Sequence, residues 1–332
     1  MSAADITPDE TRRPFAGRRV RLGDLVLQGI AGAAAAAAVV LVGLITWKLI
    51  EGAWPSVTKF GLHFIARTAW NPVIGKEAFG AASFLFGTAI TSLIALALAA
   101  PLAIGVALFL TELAPRALQA PVTALVETLA AIPSVVIGLW GIYVLGPILR
   151  DHVEPGLHSA LGFIPLFGPP SSSGSSIFTA IVVLTIMILP IVASITRELF
   201  LSVPREQKEG ALALGTTRWE MVRGVMFPYA RGGIAAALIL GLGRAVGEAI
   251  AVTQVIGGGV FIHWNLFDTG DTLASKIAAS YQGAATNLEV ASLVYLALIL
   301  LVFSLLANLS AQWVVRRVGR RQGIGLRRGG AG

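Results

Sequence analysis

Apolar residues along this chain come in long continuous runs, not at the three-and-four spacing of a helix with one wet face. Six runs are long enough to cross a bilayer, for which about 20 residues suffice in a helix. They cover residues 25–50, 83–110, 121–149, 177–201, 234–256 and 290–314. The predicted fold class is all-α, a polytopic membrane protein with six transmembrane helices. The first run follows an Arg-rich start, as a secretory signal would. Its apolar core is too long for a signal, however, and no small-x-small site follows it before Trp47-Lys48, so it is read as the first span. Pro101 lies inside the second run, where a kink is expected.

The polar stretches between the runs alternate in charge. Eighteen of the 25 Lys and Arg fall before the first run, in the short turn 111–120, around 205–228, or after the last run. Five fall in the other stretches and a sixth, Lys48, at the outer end of the first run, while Arg244 lies deep within a run. The positive-inside rule therefore puts both termini in the cytoplasm and residues 51–82, 150–176 and 257–289 outside. Trp54 and Trp70 suit an interfacial segment in the first of these outer stretches. Residues 1–24 and 316–332 read as cytoplasmic tails, 25–82 as the first span with its outer segment, and 83–315 as the membrane core.

Composition narrows the function classes. The chain has 332 residues, 55% hydrophobic and 13% charged, about half the charge of an ordinary soluble domain. A net charge of +7 would point to nucleic acid in a soluble protein; here it sits where membrane topology wants it, and the expected surroundings are lipid. With no cysteine, disulfides, thiolate metal sites and a cysteine nucleophile are excluded. The four histidines, at 63, 152, 158 and 263, lack metal-ligand spacing, and there is no phosphate-cradling Gly-rich loop. No catalytic residue, metal or bound cofactor is expected.

The longest polar interruption of the second half is 205–228, R-E-Q-K-E-G-A-L-A-L-G-T-T-R-W-E-M-V-R-G-V-M-F-P. Residues 206–214 have helical composition and Gly215 breaks them. A second helix then starts near Thr217, with Thr216 or Thr217 as its N-cap. This is a helix–Gly turn–helix outside the bilayer, tethered at both ends to spans.

Inside the runs, Arg244 and Glu248 stand apart, because the fifth run extends about ten residues to either side of Arg244. A charge at that depth costs about 3 kcal/mol on insertion scales. The i, i+4 spacing puts the two on one helix face, where they are placed to pair. Two readings stay open: an ion pair that holds helices together, or an anion site on a translocation path. The planar fork of Arg suits an oxyanion, and Gly241, Gly243 and Gly247 leave room for one. Glu127, in the third run, reads equally as an interfacial or a functional residue.

Three motifs carry a family resemblance. Glu209-Gly210-Ala211, three residues, Gly215, nine residues and Val225-x-Phe227-Pro228 resembles the EAA motif of ABC-importer permeases, E-A-A-x3-G-x9-I-x-L-P, with Gly, Val and Phe at three of its positions. G-L-G-R-A-V-G-E-A-I-A-V, residues 241–252, is similar to the G-R-A-x-G-E-T-x-A-V run of phosphate-importer permeases, with Ala249 at the Thr position. A-A-I-P-S-V-V-I-G-L-W-G, residues 130–141, is similar to the third-span motif of the same group; its ending and the long loop after it resemble the PstC-type subunit more than its PstA-type partner. The likeness runs from about residue 83 to the C-terminus.

The resemblance implies a MetI-like (type I) permease core that forms half of the pathway of an ATP-driven importer of inorganic phosphate in a bacterial inner membrane. Glu209, Gly210, Ala211, Gly215 and Pro228 would belong to a coupling loop, about 203–228, docking on a cytoplasmic ATPase. Arg244 and Glu248 would lie on the substrate pathway. The implied partners are a homologous second permease of the PstA type, two ATPase subunits that use the ATP, and a periplasmic phosphate-binding protein. One alternative is a permease of the same family for another oxyanion or small solute. Another class, a secondary transporter or channel, would call for an internal repeat with broken helices near the midplane, and no repeat is visible in the sequence.

Overall fold

The computed structural model describes residues 22–322; of the expected tails 1–24 and 316–332, residues 1–21 and 323–332 lie outside the described residues, while 22–24 open the first helix and 316–322 belong to the last one. The chain divides into two units, residues 1–48 and 49–332. Six helical segments are long and apolar enough to cross a membrane: Leu25–Phe60, Ala82–Leu113, Ser134–Leu161, Ile177–Leu201, Arg218–Gly247 and Asn287–Trp313.

Helix α1 (Leu22–Phe60) begins in the first unit, where its apolar side chains are largely exposed, as on a helix facing lipid. In the second unit the same helix buries Ala53 and Ser56, and Ser56 Oγ meets Ser292 Oγ at 3.1 Å. A short helix α2 (His63–Ala66) and a hairpin of β1 (Trp70–Asn71) and β2 (Ala78–Phe79) follow, with Trp70 opposite Phe79. Then come α3 (Ala82–Leu108), α4 (Arg116–Ala131), α5 (Ser134–Trp140), α6 (Gly146–Ile148) and α7 (Glu154–Leu161), the last three joined by wider π-helical turns. Next are α8 (Ile177–Leu201), α9 (Arg205–Ala213) and α10 (Arg218–Met221). The chain ends with α11 (Phe227–Gly247), α12 (Ile250–Val255), α13 (Leu273–Ser280) and α14 (Asn287–Gln322).

Helix α8 is the centre of the second unit. Its apolar stretch is 67% buried, against a third or less for the other spans. It packs on α3 through four alanines one turn apart, Ala95, Ala99, Ala103 and Ala107, all fully buried. Small residues at such spacing let two backbones approach, which replaces the hydrophobic drive that lipid cannot supply. Ile181, Leu184, Ile188 and Val192 fill the space above them. On the other side, Gly241 of α11 meets Ile188, where an added Cβ would stand 2.8 Å from the isoleucine Cγ2.

Four expectations need correcting. The third span is not one helix over 121–149. Ile132 and Pro133 are both extended, and the membrane-length segment starts at Ser134 and runs on to Leu161. Proline disfavours the α conformation in the residue before it, and here Ile132-Pro133 ends α4 and starts α5. Much of the expected outer loop 150–176 is accordingly helix. The fifth span likewise stops at Gly247, three residues beyond Arg244, and not at Ile256; Glu248 is extended (φ −71°, ψ 114°) and α12 restarts at Ile250. The first span continues ten residues past Ile50, to Phe60, shortening the expected outer segment. Within that segment Trp70 packs edge-on against Phe79 and Phe84 with Lys276 Nζ 5.1 Å from its ring, so it belongs to a protein core and not to a lipid interface.

Candidate functional site

The polar loop between the fourth and fifth spans folds as its sequence predicts. Helix α9 ends at Ala213, and Gly215 takes φ +82°, the left-handed region where a Cβ is costly. Thr217 then caps α10 with its side chain on the Glu220 N–H, while the Glu220 carboxylate accepts from the Thr217 N–H at 2.8 Å. This reciprocal pair is a capping box, which holds the start of a short helix. Glu209, Gly210 and Pro228 are exposed and Ala211 is half-buried. Leu214 and Trp219 stand 86% and 64% exposed at the tip, two large apolar side chains left mostly uncovered by the described residues.

Beside the apolar cluster that joins Met221 and Val222 to Ala107 and Phe200, a polar contact fastens this handle to the membrane core, and sequence spacing gave no sign of it. Lys208 Nζ donates to Glu112 Oε1 at 2.7 Å and to the Phe200 carbonyl at 3.2 Å. Glu112 lies just past α3 and Phe200 near the end of α8, so one ammonium joins the loop to two spans.

Arg244 and Glu248 come together across the break, not along a continuous helix. Arg244 Nη2 lies 3.9 Å from Glu248 Oε2, beyond hydrogen-bond reach. The Arg244 side chain is 39% exposed, Glu248 only 10%. The other carboxylate oxygen of Glu248 accepts from the Ala251 N–H at 3.3 Å, in the first turn of α12. Glu248 therefore serves the restart of the chain and the guanidinium at once. Arg244 opens into a cavity of about 610 Å³ between α8, α11 and α14. Its far wall carries Asn308 and Gln312, two amide side chains that were visible in the sixth run as L-A-N-L-S-A-Q-W but drew no notice there.

The helices that restart after the two breaks meet. A Cβ on Gly138 of α5 would lie 2.9 Å from the Ala251 Cα of α12, so the two restarted helices touch backbone to backbone. Glu127, on α4, lines a separate cavity of about 160 Å³ with Thr123, Arg197 and Glu198. Two further buried carboxylates escaped sequence reasoning. Glu154 is fully buried and accepts from the Ser171 N–H at 2.8 Å. Asp271, in the segment between α12 and α13, accepts from Ser275 Oγ at 3.0 Å. Burial pushes the Asp271 carboxyl above the usual range, against the opposing pull of Ser275, Lys276 and the Gly259 N–H.

Membrane-length helices around a buried α8, two of them broken near where they touch, and a polar helical handle define a multi-pass membrane transport subunit. Residues 99–320 match the family of binding-protein-dependent transport system inner membrane components, and the chain belongs to it. It is 42% identical to the phosphate transport system permease protein PstC of Mesorhizobium japonicum, over 92% of this chain and 94% of that one. It is 41% identical to phosphate transport system permease protein PstC 2 of Mycobacterium tuberculosis, over 89% and 92%. In fold it is similar to a subunit of a bacterial alginate ABC transporter solved with its periplasmic protein, at 16% identity and TM-score 0.60, covering 90% of this chain and 98% of that one. The expected MetI-like permease fold holds.

Proposed function

We propose that this chain forms one half of the translocation pathway of an ATP-driven importer of inorganic phosphate. It works in a bacterial inner membrane with both termini in the cytoplasm. Its partners are a homologous PstA-type permease, two cytoplasmic ATPase subunits that consume the ATP, and a periplasmic phosphate-binding protein. The chain itself binds no cofactor. Residues 83–315 are its permease core, with the segments before and after as previously divided. Glu209, Gly210, Ala211, Gly215 and Pro228 belong to the surface that docks on an ATPase, to which Leu214 and Trp219 offer apolar knobs.

Arg244 carries the reading: a part-exposed guanidinium at a helix break, opening into a cavity, in a chain whose relatives are named as phosphate permeases. Phosphate brings between one and two negative charges into the membrane, and a fixed cation lowers that cost. Transport also needs the anion to leave, so the site must not bind too well. Glu248 supplies the competition. At 3.9 Å it is close enough to attract the guanidinium in the empty site but makes no hydrogen bond that an anion must break.

The test is phosphate uptake measured beside subunit abundance in the same membranes. Arg244→Ala and Arg244→Lys are both expected to lose uptake, the second because a point charge lacks the bidentate fork. Glu248→Gln slows turnover. A structural ion pair predicts instead that the single variants disappear from the membrane and that the swap Arg244→Glu with Glu248→Arg restores uptake. Either of those results overturns the pathway assignment.

A further inference from the structure

The cavity that Arg244 opens into has a second polar wall, and the permease reading does not use it. Asn308 and Gln312 are one helical turn apart on α14 and line the same space of about 610 Å³ as Arg244 and Gly243. The rest of the lining is apolar, from Ile191, Ala236, Ile239 and Leu240. Asn308 Oδ1 is buried and has no hydrogen-bond partner among the described residues. An amide left unpaired in an apolar setting costs free energy comparable to a lost hydrogen bond. In a transmembrane helix such a group either bonds a neighbouring helix or marks a path for a polar solute. The facing residue is Gly243, which offers no side-chain partner; even an added Cβ there would stand 3.8 Å from the amide.

From this we infer that Asn308 and Gln312 form, with Arg244, a graded anion track in which the two amides take the oxyanion after the guanidinium releases it. This rests on the permease reading above and names the next residues along the same path. Consecutive spans run antiparallel, so α14 carries Gln312 one turn further than Asn308 toward the end of α11 that begins at Phe227, the side of the polar loop. A turn is about 5.4 Å, so the two amides are within the reach of one tetrahedral anion, and Arg244 lines the same space. The chemistry suits a hand-off. A guanidinium gives charge-assisted, bidentate hydrogen bonds, while a neutral amide donates more weakly. The unpaired Asn308 Oδ1 accepts and so takes a P–OH group, while the amide NH2 donates to an unprotonated phosphate oxygen. Stepping from a charged to a neutral donor lets the anion leave without a second deep well.

The test uses the full importer in membranes, with radiolabelled inorganic phosphate, and with Arg244→Ala as the reference. N308D keeps the shape but turns the wall negative, and Q312L removes the second amide. N308D is expected to lower uptake about tenfold or more and Q312L several-fold, at unchanged subunit abundance. Because this chain has no native cysteine, N308C and Q312C give a second readout. A hydrophilic thiol reagent should modify both, and phosphate presented by the loaded binding protein should slow the modification at least twofold. Wild-type uptake in N308D and Q312L while Arg244→Ala is inactive would overturn the track and leave the Arg244 assignment standing. Wild-type uptake in Arg244→Ala would overturn that assignment itself. Loss of N308D from the membrane, or no thiol modification at either position, would make Asn308 a packing residue and end the proposal.

Discussion

Removing Lys208 tests whether the polar loop is a rigid handle or a hanging connector. Its ammonium bonds Glu112 at 2.7 Å and the Phe200 carbonyl at 3.2 Å, with the two side chains only 17% and 19% exposed. A solvent-exposed ion pair contributes about 0–1 kcal/mol, whereas stripping one partner from a buried pair costs about 3–5 kcal/mol. These exposures fall between the limits, so Lys208→Met should cost about 2 kcal/mol, much of it from the stranded Glu112 carboxylate. That corresponds to roughly a thirtyfold rise in the population with α9 undocked. Hydrogen exchange of the 205–213 amides in the purified complex reads this population directly. Glu112→Leu should cost less than Lys208→Met, because the freed ammonium keeps the Phe200 carbonyl. The double variant Lys208→Met with Glu112→Leu should recover part of the loss, since no carboxylate is then left unpaired. A coupling energy of about 1–2 kcal/mol is expected from the cycle. If the two single effects add within about 0.5 kcal/mol, the contact does not hold the loop and the argument fails.

Other consequences are narrower. Gly215→Val places a Cβ at φ +82° in open space, so the penalty is conformational, about 1–2 kcal/mol. Uptake should fall while the subunit still inserts; normal uptake would leave the turn a mere connector. Glu209→Lys changes an exposed residue, so thermal stability should stay within about 0.5 kcal/mol of wild type while uptake is lost. Asp271 has a carboxyl raised by burial, so the folded protein holds that proton more tightly than the unfolded chain. Its contribution is fully present below the ordinary carboxylate value of about 4 and is lost as pH rises through the raised value. The melting temperature of wild type should drop across that window and that of Asp271→Asn should not; parallel curves would refute the assignment. Reporter fusions within 206–216 should read cytoplasmic and fusions within 171–176 periplasmic, and the reverse would invert the topology.

Hydropathy revealed the number of spans because a bilayer demands length and greasiness, and both are written residue by residue. It was blind to the breaks for the same reason. Ile132-Pro133 and Glu248-Ala249 sit within runs whose average hydropathy barely changes, while the backbone turns from helical to extended at both. The proline was a legible signal, and its preceding residue could have been read as a boundary. Glu248, neither Gly nor Pro and not followed by Pro, offered no such local signal. The turn at Gly215 was fully legible because glycine and a Thr-x-x-Glu capping box act locally. The Lys208–Glu112 contact was not. It joins residues 96 apart in the chain, and no local rule reaches that far.

The breaks change what the Arg–Glu motif means. On an unbroken helix, residues four apart would pair side by side and the carboxylate would simply neutralise the guanidinium. Here the helix ends between them, and Glu248 turns one oxygen to the Ala251 N–H at 3.3 Å, leaving the other 3.9 Å from Arg244. The carboxylate is thus held by the backbone of α12, and α12 rests on α5 at Gly138. Any movement of α12 relative to α11 must shift Glu248 relative to Arg244, because Glu248 travels with the restarted helix and Arg244 with α11. A shift of about 1 Å at this separation spans the range between a charge-assisted hydrogen bond and a loose Coulombic contact. On the proposed pathway role, such a shift at the break would set how free Arg244 is for an anion, which a continuous span would not allow.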